Sequence, residues 1–234
     1  MSFDWEHLLT DIPFSPAPDK LLRQVRMEPE AGFDAAVEAI AQEAAALARP
    51  KALYRLAVPE PLDETGVRID GVALRSRVLR VNLDKANRVF VYVATCGTEL
   101  DEWAQGKTDP LEAYWADAVK QLALQAAIQA LNQDIATRYR PGPTSAMAPG
   151  SLADWPLQQQ RPLFQILGDV TRRIGVTLSA SYLMIPNKSV SGMRFPREES
   201  FESCMLCPRL DCPNRRAPYD PELYERQYGA DAHV

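Results

Sequence analysis

The chain has 234 residues and 46% hydrophobic content, which suits one large domain, or one domain with appendages, around a real core. Its formal net charge of −5 argues against nucleic acid as the main partner, because phosphate binding needs a basic face. No segment approaches the ~18 to 20 consecutive apolar residues that a membrane span needs, so no membrane is expected. The first residues, Met1-Ser-Phe-Asp-Trp-Glu6, are acidic and carry no apolar run. That reads as the absence of a signal peptide and predicts a cytoplasmic, reducing location.

Residues 1–31 have little periodicity and are expected to wrap the surface. Asp34 is a candidate N-cap for a helix running to about Arg49. Its stripe is Phe33, Val37, Ile40, Ala44 and Leu47, spaced as one helix face. Pro50 ends it. Short strands are expected over Ala52–Ala57, Val67–Ile69 and Val78–Leu83. The clearest strand is Arg88–Thr95, rich in β-branched and aromatic residues. Gly97 turns the chain, and Glu99–Trp103 reads as a short helix. Glu99 and Glu102 resemble an acid/base pair only superficially, since no histidine is near; they suit a solvated helix face.

Asp109-Pro110 opens the longest periodic stretch, with aspartate as cap and proline at the first helical position. It runs to about Tyr139. Two stripes, Leu124/Ile128/Leu131/Ile135 and Trp115/Val119/Leu122/Ala126, predict a central helix buried on much of its circumference. Residues 141–156 form a Pro/Gly/Ser loop. Leu157–Arg173 is read as a second amphipathic helix, capped by Asp154-Trp155-Pro156 and stopped at Gly175. Val176–Ile185 reads as a strand, Pro186-Asn187 as a turn and Lys188–Phe195 as a further strand. Strands precede and follow helices without βαβ regularity, so the fold class is α+β with a mostly antiparallel sheet. There is no GxGxxG, P-loop or HExxH pattern, which argues against a dinucleotide fold.

Three of the four cysteines fall close together, in Cys204-Met-Leu-Cys207-Pro-Arg-Leu-Asp-Cys212-Pro. Two thiolates at CxxC spacing reach one metal without strain, and a third five residues on closes over it. Pro208 and Pro213 suit a rigid loop better than a helix. The alternatives are disulfides, uncommon in a reducing location, and chance clustering. A zinc site usually has four protein ligands in two pairs, and the tail has no second CxxC. That favours a 4Fe–4S iron–sulfur cluster, with zinc as the alternative. Cys96 is either a distant fourth ligand or a small buried hydrophobe at a strand end. If it is not a ligand, a cluster keeps an open iron or takes a ligand from a partner. Arg209, Arg215 and Arg216 form a local positive patch, read either as support for cluster thiolates and an acidic partner or as simple solvation.

The ordered run Ala148-Pro149-Gly150-Ser151, Leu157–Leu167, Ile174-Gly175-Val-Thr-Leu178 and Met184-Ile-Pro186-Asn-Lys-Ser189-Val-Ser191-Gly192 resembles the activation (reactivation) domain of cobalamin-dependent methionine synthase. The match covers roughly residues 110–200, and the first hundred only by general arrangement. It implies a twisted antiparallel sheet with helices packed around it. It also implies a division into an activation-like domain over 1–198 and a Cys-rich metal or iron–sulfur tail over 199–234. The chain has no room for homocysteine, folate or cobalamin modules, so the resemblance implies a stand-alone activation protein. Its expected role is reductive reactivation of a corrinoid methyltransferase, with methionine synthase first. It would cap the partner's cobalamin module, relay an electron to cob(II)alamin and use S-adenosylmethionine as methyl donor. A flavodoxin or ferredoxin would donate the electron. Cys204, Cys207 and Cys212 would be a built-in relay.

The resemblance places an S-adenosylmethionine pocket around Ala146, Pro149, Gly150, Ser151, Ser189, Ser191 and Gly192. The family pattern has an arginine three residues before the proline and a tyrosine after the glycine. Here those positions are Ala146 and Ser151, and the paired tyrosines that follow the Ser-Val-Ser-Gly turn have no match near Phe201 and Glu202. Pro149-Gly150 is either a plain turn or a ligand-facing loop. Ser189 and Ser191 alternate, so both point one way from a strand, toward ligand or toward solvent. Trp155 either follows the cap or stacks on a ligand, and Lys188 reads as an exposed turn residue. Two rivals stand beside this reading: a non-enzymatic binding module with structural zinc, and an activator of another corrinoid methyltransferase.

Overall fold

The structure is a computed structural model describing residues 5–25, 34–197, 202–212, 215 and 217–229. In chain order the first elements are β1 (Glu6–Leu9), α1 (Pro18–Gln24), α2 (Asp34–Leu47), β2 (Lys51–Ala57), β3 (Pro59–Asp63), β4 (Gly66–Ile69) and β5 (Val72–Arg75). Then come α3 (Arg77–Leu83), β6 (Val89–Thr95), α4 (Thr98–Gln105), α5 (Pro110–Tyr139) and β7 (Thr144–Met147). The remainder are α6 (Gln160–Leu167), α7 (Val170–Ile174), β8 (Thr177–Leu178), β9 (Met184–Ile185), β10 (Ser189–Pro196) and α8 (Leu223–Tyr228). The class is α+β, as the sequence predicts. No described helix is long and apolar enough to cross a membrane.

The frame is a five-stranded sheet in the order β1-β2-β6-β10-β7, with every neighbouring pair antiparallel. β6 is central and all seven of its residues are buried, six of them apolar or aromatic and the last the buried polar Thr95. Alternation sends Val89, Val91 and Val93 into the main core with α6, α7 and the three-stranded β3-β4-β5 sheet. It sends Phe90, Tyr92 and Ala94 to the other face, against Leu124, Ala127, Leu131 and Ile135 of α5.

α5 spans 30 residues, or ~45 Å. Asp109 caps it, accepting from the amides of Leu111 at 2.9 Å and Glu112 at 3.0 Å, and Pro110 opens it. Its two stripes have two partners. The Trp115/Val119 end packs with α1, α2 and Leu100, and the Leu131/Ile135 end packs on the sheet. Lys120 is a buried cation on this helix. Its Nζ lies 2.9 Å from Asp101 Oδ1 and 2.9 Å from Asn187 Oδ1, which ties the loop before β10 to α4 and α5.

Several predicted elements differ. Val78–Leu83 is the body of helix α3, because Ser76 Oγ accepts from the Leu79 amide at 2.9 Å and sets a helical start. Asp154 does not cap the helix near Leu157. It caps α3, accepting from the amides of Val78 at 3.0 Å and Arg77 at 3.3 Å and from the Ser76 hydroxyl. The Leu157–Arg173 helix is a 3-10 turn and two helices. Gly168 (φ 76°) breaks it and Asp169 recaps α7 through the Arg172 amide. Val176–Ile185 is a hairpin of two short strands whose loop closes by Ser179 Oγ accepting from the Leu183 amide. Strands β1, β3, β5 and β7 and helices α1 and α8 are not predicted. The cap position before Asp34 and the residue Phe33 lie outside the described residues.

Candidate functional site

β7 and β10 bring most of the predicted pocket residues together. Their register sets Met193 opposite Met147 and Arg194 opposite Ala146. β7 therefore leaves the sheet at the level of Gly192 and Ser191, and the Ala148–Ser151 turn starts there. Gly150 takes φ 81°, and its amide donates to the Trp155 carbonyl at 2.7 Å. Pro149 is buried and Gly150 exposed. A side chain at Gly192 would put its Cβ 2.5 Å from the Met147 carbonyl and 2.9 Å from the Tyr92 hydroxyl, so only glycine allows this approach of the strands.

Strand alternation divides the predicted set between two faces. Ser189, Ser191, Met193 and Phe195 share one face, and the last two lie in the main core. Ser189 Oγ donates to Thr95 Oγ1 at 2.9 Å. Ser191 is 2% exposed and its hydroxyl has no partner among the described residues, so its side of the strand is not a solvated face. Gly192, Arg194 and the buried Ala146 belong to the opposite face, toward α5 and Tyr92. Ser151 Oγ donates to the Ala148 carbonyl at 2.5 Å, which closes the turn on itself. Trp155 is fully buried in the main core, so its ring is packing, not a stacking platform. Lys188 is half-buried and pairs with Asp117 at 2.9 Å.

Arg194 lies beside the predicted pocket residues, and the sequence reading did not single it out. It stands directly opposite Ala146, where the family pattern has arginine. Opposed residues of an antiparallel pair project to the same side with Cβ atoms ~5 Å apart. Its guanidinium donates to Thr144 Oγ1 at 2.7 Å, and among the described residues its Nε is buried without a partner and no carboxylate pairs with it. On the same side of the sheet, Asn132 of α5 has its amide oxygen buried with no partner among the described residues. The available signal was an arginine two residues after Gly192, on the same strand face. A guanidinium with no carboxylate partner among the described residues suits a ligand that bears a carboxylate.

The cysteine loop adjoins the same edge strand. Past β10 the chain returns along β7, and Glu202 forms a parallel bridge to Ala146. Ser203 is buried, and Met205 and Leu206 pack against the main core. Cys204, Cys207 and Cys212 are half-buried. One residue ties their backbones together. The Arg215 amide donates to the Cys212 carbonyl at 3.0 Å, and its guanidinium to the carbonyls of Cys204 and Cys207, both at 2.8 Å. Pro213, Arg216 and Phe201 lie outside the described residues. Among the described residues, no three His, Cys, Asp or Glu side chains converge as a metal-holding group. The backbones of the three cysteines gather, while their thiols do not.

Cys96 is placed elsewhere. It is fully buried with Leu100, Trp115 and Val119, on the helical side of the sheet, and its Sγ meets the Gly97 carbonyl at 3.5 Å. Burial pushes its thiol up to about 12. The structure thus gives Cys96 the surroundings of a core residue and groups only the other three.

No protein-family model matches this chain, and no curated protein sequence matches it. Among solved structures, the fold is similar to that of the MetH reactivation domain bound to AdoHcy. The identity is 13%, the match covers 87% of this chain and 86% of that one, and the TM-score is 0.63. The α+β frame, from β1 through the long helix α5 to strand β10, is therefore the fold of a methionine synthase reactivation domain over most of both chains.

Proposed function

We propose that this protein reactivates a corrinoid-dependent methyltransferase, methionine synthase before others, by docking on the partner's cobalamin module. The fold correspondence over 87% of the chain with a reactivation domain that binds AdoHcy is the observation that carries this reading. In this chain Arg194 would take the grip on the carboxylate of S-adenosylmethionine that Ala146 cannot provide, by paired charge-assisted hydrogen bonds. Asn132 Oδ1 would accept from its ammonium group. Gly192 and the Pro149-Gly150 backbone keep the strand and turn close enough for a ligand to lie on them. The reaction balances simply. One electron takes the partner's cobalt(II) to cobalt(I). The methyl group of S-adenosylmethionine then moves to cobalt as its S–C bond breaks, leaving AdoHcy.

The cysteine loop supports an electron route. By residue type Cys204, Cys207 and Cys212 suit an iron–sulfur group, with zinc as the alternative; their thiols do not converge in this structure, and a bound cluster would supply one-electron transfer at low potential. Arg215 holds the loop beside β7, one strand from the proposed pocket. A flavodoxin or ferredoxin would feed it.

The test is an anaerobic mixture of this protein, a cob(II)alamin-loaded methionine synthase module, a reductant and S-adenosylmethionine. The appearance of methylcobalamin is followed in the visible spectrum. The expected result is methylation that depends on this protein, slowed about tenfold or more by Arg194→Met through weaker S-adenosylmethionine binding. Equal rates with and without the protein sink the proposal.

A further inference from the structure

Two arginines on the α5 side of the sheet carry charges that no described group neutralises. Arg194 of β10 stands opposite Phe90 of β6, and Phe90 lies on the α5 face. Arg88 is two residues before Phe90, so strand alternation gives it the same face as Arg194. Their Cβ atoms then lie on a diagonal of ~7–8 Å, which long side chains span. Arg194 leans toward that diagonal. Its guanidinium reaches Thr144 Oγ1 at 2.7 Å, and Thr144 is opposite Pro196, two residues along the strand. Continuing the Phe90–Arg194 register by two residues puts Arg88 at that same level. The Nε atoms of Arg88 and Arg194 are both buried with no partner among the described residues. Apart from the bond to Thr144, neither guanidinium donates to or pairs with any described group. Asp134, the acid on the last turns of α5, is taken by Arg138 at 2.8 and 2.9 Å and by the Tyr54 hydroxyl at 2.6 Å. The Thr144 hydroxyl orients one fork without neutralising it. Two half-buried guanidinium groups that stay protonated and repel one another call for an anion.

We infer that Arg88 and Arg194 form one oxyanion-binding site on the α5 side of the sheet. Planar guanidinium forks match the oxygens of a carboxylate or a phosphate, and two forks on one face hold such a group from both sides. The identity of the oxyanion rests on the S-adenosylmethionine reading. There it is the ligand's carboxylate, and Arg88 is a second arm beside Arg194. Inorganic phosphate offers the same chemistry from solution.

The experiment uses the full chain as wild type, Arg88→Met, Arg88→Lys and Arg194→Met. Calorimetric titration with AdoHcy is set beside decarboxylated AdoHcy, which lacks only the carboxylate. Thermal melts are taken in inorganic phosphate and in chloride at matched ionic strength. Wild type is expected to bind AdoHcy about tenfold or more tighter than the decarboxylated form. Arg88→Met should lose most of that preference, with affinity for the decarboxylated form within about twofold of wild type. It should melt in chloride within a few degrees of wild type, because the group it removes has no partner. Arg88→Lys keeps a charge but not the fork, and should retain part of the preference. A preference lost in both methionine variants supports the site with a carboxylate as its oxyanion. Phosphate stabilisation lost in both variants, with no AdoHcy binding, supports it with phosphate and overturns the S-adenosylmethionine reading. A preference that Arg88→Met leaves intact and Arg194→Met abolishes overturns the shared site and leaves Arg194 alone on the carboxylate. A wild type that responds to neither AdoHcy nor phosphate overturns the site itself.

Discussion

Lys120 concentrates the main electrostatic risk of the fold in one side chain. Its side chain is 7% exposed and its ammonium group donates to Asp101 and Asn187, so removing it strands a buried carboxylate. Lys120→Met is expected to cost about 3–5 kcal/mol, read as a lower urea midpoint at unchanged slope. Adding Asp101→Leu should recover most of that loss, because both charges are then gone. Cys96 gives a second residue-level test through pH. Burial raises its folded pKa to about 12 from an ordinary 9.0, so between these values the folded chain keeps a proton that the unfolded chain has released. The contribution is fully present below pH 9.0 and is lost as pH rises through about 12. The wild type should therefore lose on the order of 4 kcal/mol more stability than Cys96→Ala across that window. Parallel pH profiles for the two proteins would show that the thiol is not held in the core.

At the scale of elements, the β7–β10 pair sets the site, and Gly192 sets the pair. An alanine there would press its Cβ against the Met147 carbonyl, which belongs to backbone and cannot move aside cheaply. Gly192→Ala is expected to cost about 1–3 kcal/mol and to raise hydrogen exchange in β7 and the Ala148–Ser151 turn while β2 and β6 stay protected. Uniform exchange across the sheet would show that the close approach is not the constraint. These elements also mark what the residues disclose on their own. β6 and α5 are legible because each carries an unbroken pattern: seven buried strand residues, and a capped helix with two stripes. α3 is not, because Val-Leu-Arg-Val-Asn-Leu alternates well enough for a strand, and the decision lies with Ser76 and with Asp154, 78 residues away. β7 hides in a Pro/Gly/Ser stretch, since an edge strand of four residues gains its partners only from β10. The site was half legible for the same reason. Ala146, Pro149-Gly150 and Ser191-Gly192 adjoin along the β7–β10 pair, but strand alternation puts Ser191 on the opposite face from Ala146 and Gly192. Arg194 became visible only through the register that sets it opposite Ala146.

The whole molecule bears on the last 36 residues, which the sequence reads as a separate Cys-rich tail. Both flanks of the cysteine loop are fixed to the main body. On one side Glu202 bridges β7, and on the other Leu223 and Tyr228 are buried in the main core. Arg77 donates to the Tyr228 and Gly229 carbonyls, and the Tyr228 hydroxyl donates to Asn82 Oδ1 at 3.0 Å. Asn82 also meets the Arg197 guanidinium and donates to Met147 Sδ at 3.4 Å, so one buried amide links α3, β7, the end of β10 and α8. The loop between those flanks is tied across its base by the Asp220 amide, which donates to the Met205 carbonyl at 2.8 Å. A loop held in this way should lose its order when the core does. Tyr228→Ala removes a fully buried ring and is expected to cost about 3–5 kcal/mol. The informative readout is the shape of the transition. Far-UV dichroism and alkylation of Cys204, Cys207 and Cys212 should move together to a lower urea midpoint, as one cooperative unit. Cysteines that become reactive in an earlier, separate step, with the sheet still folded, would instead make residues 199–234 an independent module. The proposed electron route would then have to reach the pocket across a joint that opens.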